Sequence, residues 1–193
     1  MQTLREAGVP TIRPDQGAPG DAVFCSGTGL VDRAIQFGQW IRVSMRPYRK
    51  WNHIAWLDHP VQDDSGAITD WVLGQALSHG VEIGQLLSER GTGVEIVPLG
   101  AFPTVQGWSQ QLMVDRPTHL ATLRAEVGVK YGWLTIASVV VNILTPKWVR
   151  LDFRRANTFI CSGLFSWALH SGGGLIEGDV YQVMPAQVAE STR

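Results

Sequence analysis

Two apolar runs separated by a polar connection set the strongest limit on what this chain can fold into. Asn52-His53-Ile54-Ala55-Trp56-Leu57 alternates, so that His53, Ala55 and Leu57 share one face and Ile54 and Trp56 the other. Trp71 to Leu77 repeats the strand pattern, and Val61 to Thr69 between them holds Asp63-Asp64-Ser65-Gly66, a turn-forming connection. The pair therefore reads as a hairpin. Pairing about Asp64 sets His53 opposite Gln75 on one face, and a register slip of one would separate them. Gly80 to Ile83 and Gly93 to Leu99 read as further short strands, the first followed by a turn-like Gln85-Leu86-Leu87 step, which makes the sheet antiparallel and curved.

Ala22-Val23-Phe24-Cys25 is another short strand, opened by the Gly20-Asp21 turn, and a helix is expected from Leu30, ending before Arg46-Pro47. Asp115 to Val129 looks helical after Pro117, with Leu120, Leu123 and Val127 on one stripe. Tyr131 to Leu144 is apolar nearly all round, the pattern of a buried helix, closed by Pro146. Leu164, Phe165, Ala168 and Leu169 give a last helix, which Gly172-Gly173-Gly174 terminates. Strands and helices in this mixture mean an α+β fold. At 193 residues the chain reads as an N-terminal extended arm over 1–19 and a single domain over 20–193, without an internal repeat.

Charge and cysteine content narrow the function classes. With 16 basic and 17 acidic residues there is no broad positive field for a polyanion. The two local clusters, Arg42, Arg46, Arg49, Lys50 and Arg150, Arg154, Arg155, read as solvated faces, so no nucleic-acid partner is expected. The N-terminus lacks the basic start and apolar core of a secretory signal, which predicts synthesis in the cytoplasm. Trp133 to Leu144 falls short of the roughly 20 apolar residues of a membrane span, so no integral membrane segment is expected. Two cysteines are too few for a thiolate zinc site. Asp58, His59, Asp63 and Asp64 match no metal loop and read as a solvated hairpin tip. Gly27-Thr28-Gly29 lacks the pattern of a nucleotide loop, so no metal and no cofactor are expected. Trp56, Trp71, Trp133 and Trp167 sit in apolar patterns and read as core.

The chemistry concentrates on Cys161. It falls at the first turn of a helix, where free N–H groups favour an anion, so its thiolate is expected to be stabilised and its neighbours can form an oxyanion hole. A small buried apolar residue is the plainer reading of the same position. Of the five histidines only His53 sits inside a strand pattern, and the Gln75 amide oxygen can accept from one ring nitrogen and leave the other for the thiol. Cys25 reads as a buried strand residue.

Gly20-Asp21-Ala22-Val23-Phe24, Asn52-His53-Ile54-Ala55-Trp56, Phe159-Ile160-Cys161-Ser162-Gly163-Leu164 and Met184-Pro185-Ala186 follow one another in an order that resembles the circularly permuted branch of the NlpC-type papain-like cysteine hydrolases. The resemblance spans residues 20 to 190. It implies a papain-like core, with the nucleophile helix packed on a small curved antiparallel sheet, Cys161 as nucleophile and His53 as base. Gln75 falls where the family places a third polar residue, usually His, Glu or another polar side chain; a neutral Gln orients the imidazole without stabilising its cation. Tyr131-Gly132-Trp133 corresponds to an aromatic segment lining the cleft, or simply to the start of an apolar helix, and Ser162 joins Tyr131 as a substrate contact.

The function so implied is cleavage of an amide bond, in peptides of cell-wall peptidoglycan, through an acyl enzyme. Two alternatives stand beside it: an acyltransferase or lipid hydrolase on the same scaffold, marked by an apolar tunnel near Tyr131 to Leu144, and a weakly active or inactive structural or binding component of a phage particle or secretion assembly. A wall-degrading enzyme made in the cytoplasm would reach its substrate at lysis, through an export machine or on a virion.

Overall fold

The computed structural model describes residues 3–27, 30–41, 48–90, 93–104, 113–144, 158–176 and 179–192. It is an α+β fold. Strands β1 (Ala22–Cys25), β2 (His53–Gln62), β3 (Ile68–Leu77), β4 (Gly80–Leu86) and β5 (Val94–Val97) form one five-stranded antiparallel sheet in the order β4-β3-β2-β1-β5. Helices α1 (Leu30–Ile41), α2 (Arg116–Ala125), α3 (Trp133–Leu144), α4 (Cys161–Ser171) and α5 (Pro185–Glu190) complete it, with a two-stranded parallel pair of β6 (Lys130–Tyr131) and β7 (Thr158–Phe159).

The alternation of the strands divides the core in two. On one face Phe24, Ile54, Trp56 and Ala76 pack with α2, α4 and α5 through Leu123, Leu164, Phe165, Ala168, Ala186 and Val188. The other carries Val23, Cys25, Ala55, Leu57, Trp71, Leu73 and Ile96 under the 3-10 turn Leu87–Arg90 and residues 12–17. There the Trp71 indole N–H donates to the Pro14 carbonyl at 2.9 Å. β1, buried on both sides, therefore reads as a continuous apolar run rather than an alternating one.

The hairpin differs from its sequence reading in length and register. β2 runs to Gln62 and β3 begins at Ile68, so strand takes both ends of what read as a polar connection, leaving the Asp63 carboxylate to bind the Ser65 and Ala67 N–H groups in the turn. The two irregularities, between Leu57 and His59 and between Val61 and Gln62, offset each other, and because the hairpin centres on Ser65 instead of Asp64, Gln75 faces Ala55 instead of His53. The offset is even, so His53 and Gln75 keep a common face as diagonal neighbours. Gln85 and Leu86 belong to β4, not to a turn.

Other elements also depart from expectation. Asp58 is no part of a solvated tip: it is buried and accepts from Arg124 Nε at 2.9 Å, His59 Nδ1 at 2.9 Å and Trp56 Nε1 at 3.3 Å. Among the described residues no three His, Cys, Asp or Glu side chains gather as a metal site. α3 is not buried throughout, since Trp133 is 47% and Leu134 52% exposed; Val127, past the end of α2, is exposed too. Residues 3–12 pack into the molecule, with Leu4 and Val9 in the main core and the Ile12 N–H on the Ile96 carbonyl. Arg42, Arg46, Pro146, Arg150, Arg154 and Arg155 lie outside the described residues. No helix of the described residues is long and apolar enough to cross a membrane.

Candidate active site

The end of β2 nearest its first residue gathers the groups singled out from the sequence. Asn52, buried just before the strand, accepts from the Gly27 N–H at 2.8 Å and donates to the Gly27 carbonyl at 3.0 Å, which pins the segment after β1 beside His53. Cys25 is the cross-strand partner of His53. From the other side Gln75, fully buried, brings Oε1 to 3.2 Å from His53 Nε2, while its own Nε2 donates to Gln85 Oε1 at 3.0 Å. That chain of amides sets the tautomer: Nε2 carries the proton and Nδ1 presents its lone pair.

α4 delivers Cys161 to the same end. Its N-cap, Ile160, has no side-chain cap, so the first N–H groups of the helix remain open toward the sulfur. Immediately before it, β7 pairs in parallel with β6, matching Tyr131 to Phe159 and fixing the aromatic segment two residues from the thiol. Gly132 is held close: its N–H donates to the Phe159 carbonyl at 2.8 Å, and a Cβ there would lie 3.2 Å from the Phe159 backbone.

The sulfur meets the N–H of Ile54, the residue after His53, together with those of Ser162 and Cys161 itself. Cys161 packs in the core on the Ile54 face, whereas His53 starts from the Cys25 face; the hydrogen bond of His53 runs to Gln75, with Arg90 Nη2 3.4 Å from the same ring nitrogen, and none runs to Cys161. His53 and Gln75 are thus joined on one face of β2, and Cys161 meets the strand from the other face through the Ile54 N–H.

Electrostatics reverses one expectation. Burial pushes the Cys161 thiol up, outweighing the N–H groups that favour its thiolate, so the helix terminus does not leave it more acidic than an ordinary thiol. Burial and the charge of Arg90 hold His53 down at about 4 against the opposing bond to Gln75. The resting site is a neutral thiol and a neutral imidazole. Cys25 is pushed up to about 11 by burial and stays an unreactive strand residue.

Ser162 is placed differently from a substrate contact. It is buried, and its hydroxyl donates to the Val183 carbonyl at 2.6 Å, which ties α4 to the segment before α5; its backbone N–H is what it offers the site. Arg90 was not singled out from the sequence. It ends a 3-10 turn with no periodicity, and only a lone cation beside Glu89 marks it there. A groove of about 440 Å³ lined by Arg5, Ile12, Leu87, Val94 and Glu95 lies at the β5 side of the sheet and includes neither His53 nor Cys161. No protein-family model matches the chain, and no curated protein matches it.

Proposed function

We propose that this protein is a cysteine hydrolase with a papain-like core that cleaves an amide bond through a Cys161 thioester, acting on peptides of cell-wall peptidoglycan, which it meets at lysis or from a virion. One observation carries the reading: the bond of His53 Nε2 to Gln75 Oε1 at the strand end where the Ile54 N–H meets the Cys161 sulfur. An amide as third member is sufficient for a Cys-His pair of this type, because its task is to fix the ring and its tautomer.

In the reaction His53 Nδ1 comes within reach of Sγ and takes the thiol proton as sulfur bonds to the substrate carbonyl carbon. The open N–H groups at the start of α4 stabilise the oxyanion. When the carbonyl re-forms, the C–N bond breaks and the leaving amine takes the proton from His53. Water, deprotonated by His53, then attacks the thioester, releasing the acid and restoring the thiol. A neutral imidazole at rest is the form that a general base requires.

A second reading, acyl transfer or lipid hydrolysis on the same scaffold, is favoured by the exposure of Trp133 and Leu134 beside Tyr131. The test of the pair needs no substrate: the rate of Cys161 alkylation by iodoacetamide against pH, in a Cys25→Ser background with and without His53→Ala. The expected result is a fall of about tenfold or more without His53, the worth of roughly 1.4 kcal/mol in proton acceptance. An alkylation rate indifferent to His53 overturns the catalytic reading. Amine release from peptidoglycan peptides, against turnover of phospholipid vesicles or acyl thioesters, separates the two substrate classes.

A further inference from the structure

Arg90 closes the 3-10 turn Leu87–Arg90 and brings its guanidinium onto the imidazole, Nη2 lying 3.4 Å from His53 Nε2. In the tautomer that Gln75 imposes, Nε2 bears a hydrogen, so it cannot accept from Arg90 and the contact faces donor to donor. The other side of the guanidinium is no better served: Arg90 Nε is buried without a hydrogen-bond partner. No carboxylate of the described residues pairs with it. The acids close to it in sequence or along the sheet are engaged elsewhere, Glu89 by the Leu86 N–H, Asp70 by Ser88 and Trp71, and Glu95 by the Leu4 N–H. A cation with a buried, unmet donor beside a neutral base is half of an ion pair, and leaving it so is costly.

We infer that Arg90 receives a carboxylate of the substrate beside His53, so that the amide cleaved at Cys161 carries a free carboxylate close to the scissile bond. The inference rests on the reading of Cys161 and His53 as the reacting pair. A carboxylate suits a guanidinium because its two oxygens match the planar fork of donors. The groups facing His53 are Cys25 from β1, Gln75 from β3 and Arg90 from the turn, and Arg90 is the one charge acting on it from the described residues. A single positive charge matches a singly charged anion; a phosphate dianion would leave one charge unmet in a partly buried place. Binding also has a consequence for the base. With the carboxylate on Arg90, the positive charge that disfavours the imidazolium is cancelled, and His53 accepts the thiol proton more readily once substrate is in place.

The experiment follows the ring titration of His53 by NMR in the Cys25→Ser protein, with N-acetylglycine as the carboxylate probe and N-acetylglycinamide as its neutral counterpart. N-acetylglycine is expected to raise the His53 titration midpoint by about one pH unit, the amide to leave it unchanged, Arg90→Gln to abolish the response and Arg90→Lys to retain part of it. Equal behaviour of the two probes on the parent protein overturns the inference without any variant having to fold, and so does an Arg90→Gln protein that responds like the parent. Alkylation of Cys161 with and without His53 reads the reacting pair separately. A carboxylate response without a His53-dependent thiol would refute the pair, and a His53-dependent thiol without the carboxylate response would refute the anion site.

Discussion

Acid should loosen this fold from about pH 6.5 downward, because two histidines are held neutral inside it. His119 is fully buried on α2, donates from Nε2 to the Gly20 carbonyl at 3.2 Å and stacks edge-on against Phe165 with ring centroids 5.0 Å apart. Burial, the largest influence on it, takes its titration from 6.5 down to about 4. The folded-state value is depressed, so the unfolded chain binds the extra proton first; the stabilisation is whole above pH 6.5 and is lost as pH falls toward 4. At roughly 1.4 kcal/mol per pH unit, His119 alone accounts for about 3 kcal/mol across that window and about 2 kcal/mol by pH 5. His53 adds to it in the same direction. The assay is urea unfolding at fixed temperature from pH 7.5 to 4.5, for the parent and for His119→Gln, which keeps a donor for Gly20 but cannot titrate. The parent should lose stability steeply below pH 6.5, and the variant, less stable at pH 7.5, should show a slope shallower by about 2 kcal/mol between pH 7 and 5. Equal slopes for the two proteins would refute the assignment of this proton uptake to His119.

Two further outcomes follow from packing. A Cβ on Gly74 would lie 2.0 Å from Trp56 Cε2 and Cζ2, so Gly74→Ala should destabilise by about 3 kcal/mol in chemical denaturation, whereas Gly84→Ala, with nothing within 4 Å, should change stability by no more than about 0.5 kcal/mol. Asp58→Ala strips Arg124, His59 and the Trp56 indole of their acceptor at once and should cost about 3 kcal/mol; thermal unfolding at pH 7 measures it, and a loss below about 1 kcal/mol would mean water replaces the carboxylate.

The readable and unreadable parts of this chain divide along physical lines. β1, the β2-β3 pair and α4 were legible because apolar periodicity and glycine punctuation act locally, at Ala22 to Cys25, at Ile54 and Trp56, and at Gly172. The common face of His53 and Gln75 needed, besides that periodicity, a hairpin centre near Asp64, and the observed centre at Ser65 preserves it. Their exact register is not legible, since nothing in the polar run Asp63 to Ala67 marks Ser65 over Asp64 as the centre of the turn. The acidity of Cys161 is not legible for a related reason: a helix start is visible in sequence, but the depth at which the sulfur is buried depends on the packing of α4 against β2 and β3. α3 shows the limit of composition, because an all-apolar run says that a face is buried without saying that every face is. Arg90 is invisible until β4 and its turn place it against His53.

The tethers on the two outer strands bear on how copies of this protein treat one another. A sheet edge with unpaired N–H and C=O groups is a template for a neighbouring chain. Here β4 gives its outer side to the turn after α2, where the Val81 N–H donates to the Val129 carbonyl at 2.9 Å and the Gly128 N–H to the Val81 carbonyl at 2.8 Å. β5 gives its own to the N-terminal stretch, through Ile12 on Ile96 and the Leu4 N–H on Glu95. Residues 3–12 are thereby a built-in competitor for any neighbouring chain at the β5 edge. Removing them would bare the β5 edge to another chain.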